Sequence, residues 1–140
     1  MNRLPPITIT QLRRVEHPKG DIFHGIKASE PCYVGFGEAY FTTIVSGEVK
    51  GWKKHTEMTM NIIVPVGMVR FHIHDAAAGR TSTHDVGDSN YCRLTIPPGY
   101  WVAFQGLTNR TNLILNVANL EHDPAEAVNV PLENFSLTTP

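Results

Sequence analysis

Helical periodicity is hard to find in this sequence, which argues against a helical bundle. No apolar run approaches the roughly 20 residues of a membrane-spanning helix. Neither sign of charge dominates: the formal net charge is −1, with no basic face to attract nucleic acid and no acidic tail. Cysteine is scarce. Cys32 and Cys92 lie far apart and fit no metal-binding or redox spacing, so two reduced, partly buried thiols are expected. Met1 to Pro6 lack the apolar stretch of an export signal, and the expected location is cytoplasmic.

What the chain does have is β-rich segments between turn residues. Ten prolines and eleven glycines cut its 140 residues into short pieces. The length suits one domain with one core. Ala39–Val45 ends at Ser46-Gly47, and Asn61–Val66 ends at Gly67. Met68–His74 alternates apolar and polar residues with period 2, as a strand with one wet face does. Asn90–Ile96 alternates too and stops at Pro97-Pro98-Gly99; strands follow over Tyr100–Gln105 and Asn112–Val117. Many short strands joined by turns predict an all-β sandwich or barrel with little helix. Three stretches read as irregular. Residues 1–20 form an arm with one strand near Ile7–Leu12, 76–89 a polar surface loop, and 119–140 a C-terminal segment with one helical turn near Pro124–Ala127.

Two segments carry the chemistry. Gly51-Trp52-Lys53-Lys54-His55-Thr56-Glu57-Met58-Thr59-Met60 precedes a strand and Gly67; Ile96-Pro97-Pro98-Gly99-Tyr100-Trp101-Val102-Ala103-Phe104 follows later. Their spacing resembles the two cupin motifs, and the fold this implies is a cupin jelly-roll barrel filling residues 1–140. The four metal-ligand positions of those motifs read Lys53, His55, Met60 and Val102 here. One imidazole with an ammonium, a thioether and an isopropyl group is no ligand set for a divalent metal, so none is expected. His72 and His74 share one strand face, where a polar sheet surface or subunit contact is the simpler reading than a metal site.

Taken together, Gly35–Phe41, Val49–Trp52, His55 with Met58–Asn61, Val66-Gly67, Asn90-Tyr91, Ile96–Trp101 and His122–Pro124 resemble a branch of the dTDP-4-dehydrorhamnose 3,5-epimerase family. The resemblance covers about residues 18–130 and implies a nucleotide-sugar substrate, a homodimer with a crossing N-terminal arm, and a role in surface-polysaccharide or deoxysugar biosynthesis. It requires no cofactor. A ketone at C4 acidifies the hydrogens at C3 and C5; a base removes one and an acid returns a proton to the other face.

The resemblance assigns the base to a histidine in the first segment, His55. The base should titrate near neutral pH, which suits an imidazole. Lys53, two residues away on the same strand face, suits an oxyanion or phosphate. The family's late tyrosine is missing, leaving His122 or another tyrosine as the acid; His122 and Asp123 also read as a turn cap. Lys50 and Arg70 are candidates for phosphate. Asp75 suits sugar hydroxyls or histidine orientation, or simply opens the loop after its strand. Tyr40, Trp52 and Tyr91 offer rings for stacking, and Asn61 completes the substrate-binding set. Met60, Val102 and Ala103 depart from the family pattern and thin the polar lining. Two alternatives stay open: a sugar-nucleotide 3,4-ketoisomerase, and a non-catalytic cupin that binds a sugar nucleotide.

Overall fold

A computed structural model describes residues 3–138 of the chain. Met1, Asn2, Thr139 and Pro140 lie outside the described residues, so the expected arm and C-terminal segment are seen from residue 3 and up to residue 138.

The strands run in chain order as β1 (Thr8–Gln11), β2 (Arg14–Val15), β3 (Ile22–Phe23) and β4 (Glu38–Thr43). Next come β5 (Val49–His55), β6 (Met60–Val66), β7 (Met68–Asp75) and β8 (Arg80–Gly87). The last are β9 (Cys92–Ile96), β10 (Trp101–Gly106), β11 (Leu113–Ala118) and β12 (Ala127–Asn129). Two five-stranded sheets result, ordered β1-β9-β6-β11-β4 and β12-β5-β10-β7-β8, with β2 and β3 as a separate pair. Every strand pairing is antiparallel. This is the all-β jelly-roll barrel of the cupin type expected from the sequence. Among the described residues, helix is confined to two single 3₁₀ turns, Pro124–Glu126 and Leu132–Asn134.

The inner faces meet in a core that includes Met60, Ile62 and Val64 of β6, Val69, Phe71 and Ile73 of β7, and Leu94 and Ile96 of β9. Each set recurs every second residue, as alternation on a pleated strand demands. Chain outside the barrel covers both outer faces. Over the first sheet, buried Arg93 donates to the Gly25 carbonyl (2.6 Å) and to Glu30 (2.5 Å). Over the second sheet, Val130, Leu132, Phe135 and Leu137 pack on Trp52, Trp101 and Ala103.

Two sequence expectations change and one is met. The loop expected over 76–89 contains β8, which pairs with β7 along all eight of its residues. Its polar side chains include Arg80, Thr81, Ser82, Thr83, His84 and Asp85, so composition alone hid an edge strand that is defined by its pairing with β7. The strand expected near Ile7–Leu12 is present as β1, which lies against β9. The helical turn expected near Pro124–Ala127 is the 3₁₀ turn Pro124–Glu126, and residues 119–138 add β12 and a second 3₁₀ turn to it.

Gly51 sits where β5 and β10 press together. Between them, Val102 pairs with Lys53 and Phe104 with Lys50, so β5 holds one residue more than β10 over this interval. A Cβ at Gly51 would collide with the Ala103 methyl and lie 2.8 Å from the Ala103 Cα. Gly51→Ala is therefore expected to cost about 1–3 kcal/mol by overpacking. Thermal unfolding followed by circular dichroism checks this; an unchanged midpoint would contradict the close contact.

Candidate active site

A cavity of about 390 Å³ opens between the two sheets. From the second sheet it is lined by Lys50, Lys53 and His55 of β5 and by Val102 and Phe104 of β10. Tyr40 and Thr42 of β4, Met60 and Ile62 of β6, and Ile114 of β11 form the wall from the first sheet. The extra residue in β5 matters here. Strict alternation from His55 would bring Lys53 and Gly51 to the cavity and turn Lys50 away. The bulge shifts the phase, and Lys50 joins Lys53 and His55 on the cavity side.

His55 is 6% exposed and its Nδ1 lies 2.7 Å from Oε1 of Glu126, which is equally buried. The other carboxylate oxygen, Oε2, accepts from the backbone N–H groups of Glu57 and Met58, each at 2.9 Å. Glu126 reaches this position because Asp123 caps the Pro124–Glu126 turn by accepting from the Ala125 N–H. The Glu126 carbonyl then accepts from the Thr56 N–H (3.0 Å) and hydroxyl (2.7 Å). Burial alone would raise the Glu126 pKa, but the hydrogen bonds from His55, Glu57 and Met58 outweigh it and hold the carboxyl below its ordinary value. An ionised carboxylate only accepts. The network therefore assigns the His55 proton to Nδ1 and leaves Nε2 with its lone pair available to the cavity.

Across the cavity, the Tyr40 hydroxyl is 3.0 Å from Nδ2 of Asn116. Lys50 Nζ donates to the Thr43 carbonyl at 3.0 Å and lies 5.9 Å from the centre of the Phe104 ring. The site thus joins an acid-oriented imidazole, a phenol on the facing sheet, two ammonium groups and an apolar floor. Among the described residues, no three His, Cys, Asp or Glu side chains are grouped to hold a metal ion.

Of the residues singled out in the sequence, His55, Lys53, Lys50 and Tyr40 come together at this cavity. Trp52 borders it but is 1% exposed, its ring edge-on to Phe135 at 5.7 Å and its Nε1 donating to the Leu132 carbonyl at 2.9 Å. That indole holds the C-terminal segment on the barrel. His122 is exposed, its N–H donates to Glu38, and it is absent from the cavity lining. Asn61 is buried among Thr95, whose hydroxyl it accepts from, and Cys32, whose carbonyl it donates to.

Arg70 projects from the outer face of β7 into a two-pronged bond with Asp85 at 2.8 and 2.9 Å, which also holds the Asp85 carboxyl below its ordinary range. Asp75 caps the turn after β7 by accepting from the Ala77 and Ala78 N–H groups. Tyr91 donates to the His24 carbonyl at 2.7 Å and packs edge-on with Phe23. Alternation explains the misplacements of Asn61 and Arg70: each sits one residue from a cavity-lining position, Ile62 and Phe71. His72 and His74 face the C-terminal segment, His72 donating from Nδ1 to the Leu137 carbonyl and His74 stacking on Phe135 at 4.2 Å. Burial lowers the pKa of both.

Sequence reasoning missed Glu126, which lies 71 residues from His55. The available signal was local: Asp123-Pro124 is a turn-opening pair, and it fixes the direction of an acid two residues on.

Fold and site define a cupin-type jelly roll whose cavity holds a carboxylate-anchored histidine. No protein-family model matches the chain, and no curated protein matches it. Solved structures do. The dTDP sugar isomerase from Desulfovibrio desulfuricans superposes with a TM-score of 0.88 at 28% identity, covering 94% of this chain and 90% of that one. A 3,4-ketoisomerase from Thermoanaerobacterium thermosaccharolyticum, in complex with TDP-4-keto-6-deoxyglucose, gives 0.76 at 15% identity over 90% and 88%. The dTDP-6-deoxy-D-glucose-3,5-epimerase from Legionella pneumophila, in complex with dTDP-4-keto-L-rhamnose, gives 0.79 at 14% over 90% and 73%. The latter two share the fold.

Proposed function

We propose that this protein is a nucleotide-sugar isomerase that epimerises a 4-keto-6-deoxy sugar carried on dTDP. The observation that carries the reading is the His55–Glu126 pair in a cavity with Tyr40 on the opposite sheet. His55 Nε2 takes the proton from the carbon next to the ketone. The C–H electron pair becomes the enolate double bond, and the charge moves to the C4 oxygen, which an ammonium such as that of Lys53 stabilises. Glu126 balances the imidazolium. Tyr40 then gives its hydroxyl proton to the opposite face of the carbon, and the enolate collapses to the ketone of the inverted sugar. Lys50 and Lys53 also suit the diphosphate.

Incubation with dTDP-4-keto-6-deoxyglucose in D₂O tests the reading. Incorporation of solvent deuterium next to the ketone supports it, and binding without exchange leaves a non-catalytic sugar-nucleotide cupin. A 3,4-ketoisomerase is the second reading. It draws support from length: the chain covers about nine-tenths of the isomerase and the ketoisomerase but only 73% of the epimerase. In that reaction the proton taken from C3 is returned at C4 while the C3 hydroxyl gives up its proton and the C4 oxygen gains one, and product analysis tells the two apart.

Lys53→Gln is expected to lower kcat/KM about tenfold or more, through a lower kcat where its ammonium faces the enolate oxygen and a higher KM where it faces the diphosphate, because a charged hydrogen bond is lost (about 1.5–3 kcal/mol). Arg70→Ala is the control, with steady-state kinetics unchanged. A kcat/KM unmoved by Lys53→Gln would remove this lysine from both roles.

The finer reading is a cytoplasmic homodimer supplying deoxysugars for a surface polysaccharide. Phe36, Phe41 and Val45, each more than 60% exposed in and beside edge strand β4, are the apolar surface that supports pairing of two copies.

A further inference from the structure

We infer that Asn116 is a positioning residue that makes Tyr40 a proton donor toward the cavity; this rests on the catalytic reading above. Asn116 lies on β11 directly across from Tyr40 on β4. It is 2% exposed, in a strand whose inward neighbours Ile114 and Ala118 are apolar. A buried amide is costly where an aliphatic side chain would fit, unless its groups are bonded. Here they are. Its Oδ1 accepts from the Asn61 backbone N–H at 3.1 Å, and its Nδ2 is 3.0 Å from the Tyr40 oxygen and 3.8 Å from the Met58 sulfur.

The orientation of the amide follows from these partners. A backbone N–H only donates, so the end of Asn116 facing Asn61 must be its oxygen. Asn61 is itself fixed by Thr95 and the Cys32 carbonyl, which keeps its N–H in place. The end facing Tyr40 is therefore the NH₂ group, which only donates. The Tyr40 oxygen accepts that bond, and its own hydrogen cannot point at Asn116. It is left for the cavity that Tyr40 lines. Once Tyr40 has given up its proton, the same N–H faces the phenolate oxygen that remains. One amide thus serves both states of the tyrosine, without touching substrate.

Asn116→Asp tests this because it keeps the shape and reverses the polarity. One carboxylate oxygen still accepts from the Asn61 N–H, while the other now draws the Tyr40 hydrogen toward itself. With dTDP-4-keto-6-deoxyglucose in D₂O, two rates are followed: deuterium wash-in by His55 and formation of isomerised product. Loss of a general acid is expected to lower product formation about 100-fold while wash-in stays within about threefold. Tyr40→Phe should show the same split, and the double variant should be no slower than Tyr40→Phe alone. Affinity for dTDP should be unchanged throughout.

Asn116→Ala is the second variant. It removes the donor without adding an acceptor, and product formation is expected to fall about tenfold with wash-in retained. It decides the matter if Asn116→Asp does not fold. The inference is overturned if the folded variant forms product at the wild-type rate, or if wash-in and product fall together at unchanged dTDP affinity. A wild-type protein that shows no wash-in overturns the catalytic reading instead, and with it the role of Tyr40.

Discussion

Replacing His55 with Asn is expected to abolish deuterium incorporation from solvent into a 4-keto sugar nucleotide, lowering turnover by about 10²–10⁴-fold, the usual contribution of a positioned general base. Asn can still donate a hydrogen bond to Glu126, so the buried carboxylate keeps a partner. It offers no basic nitrogen to the cavity. Affinity for dTDP should hold, because the diphosphate is assigned to Lys50 and Lys53. Deuterium wash-in measured by NMR and dTDP titration by calorimetry together form the test. Residual exchange above about a tenth of the wild-type rate would show that another group takes the proton, and the proposed role of His55 would fall.

Glu126→Gln has the second large effect, for a reason specific to hydrogen bonding. The amide oxygen of the replacement is claimed by the Glu57 and Met58 N–H groups, which only donate. Its NH₂ then faces His55 Nδ1 and forces that nitrogen to accept. The imidazole proton moves to Nε2, where the cavity needs a lone pair. Turnover is expected to fall about 10²–10⁴-fold with the fold intact, since the wrong tautomer is held in the right place. Glu126→Ala is the harsher change. It leaves His55 and two backbone donors unpaired in a buried place, at a cost of about 1–3 kcal/mol for each unsatisfied group.

The same residue sets a pH dependence of stability. Its carboxyl is held below the ordinary value of 4.5 in the folded protein. The stabilisation is therefore complete above the unfolded-state value and is lost as pH falls through the lower folded one. Asp21, Glu30 and Asp85 are held down as well and add to the acid sensitivity. The comparison of wild type with Glu126→Gln isolates one carboxyl: the wild-type melting temperature should fall more steeply below about pH 4.5 than that of the variant. Parallel curves would mean that the Glu126 carboxyl is not held below its unfolded-state value.

Most of the barrel was legible because strands announce themselves by alternation and by their ends. Runs at 39–45, 61–66, 68–74 and 90–96 each lie over an observed strand, and the turns after them fall at glycine or proline. At Gly67 the turn leaves no alternative, since a Cβ there would lie 2.5 Å from the Thr111 carbonyl oxygen and the Asn112 side chain. Strand β8 escaped because both of its faces are largely polar, so composition resembled a loop. Its identity comes from β7 beside it, which pairs the backbone groups along one edge of this outermost strand.

The sequence by itself determined an all-β barrel, placed one imidazole at the inward position of its first motif, and put Lys53 on the same strand face. Those are properties of neighbours along one strand, which the pleat converts directly into geometry. Tertiary structure alone decided the rest. The bulge in β5 that adds Lys50 to the cavity depends on how β10 pairs with it. The partnership of His55 with Glu126, and of Tyr40 with Asn116, joins residues 71 and 76 positions apart. No local period encodes such a pair. It exists only because two sheets and a returning C-terminal segment enclose the same small volume, where a buried polar group must find a partner or destabilise the fold.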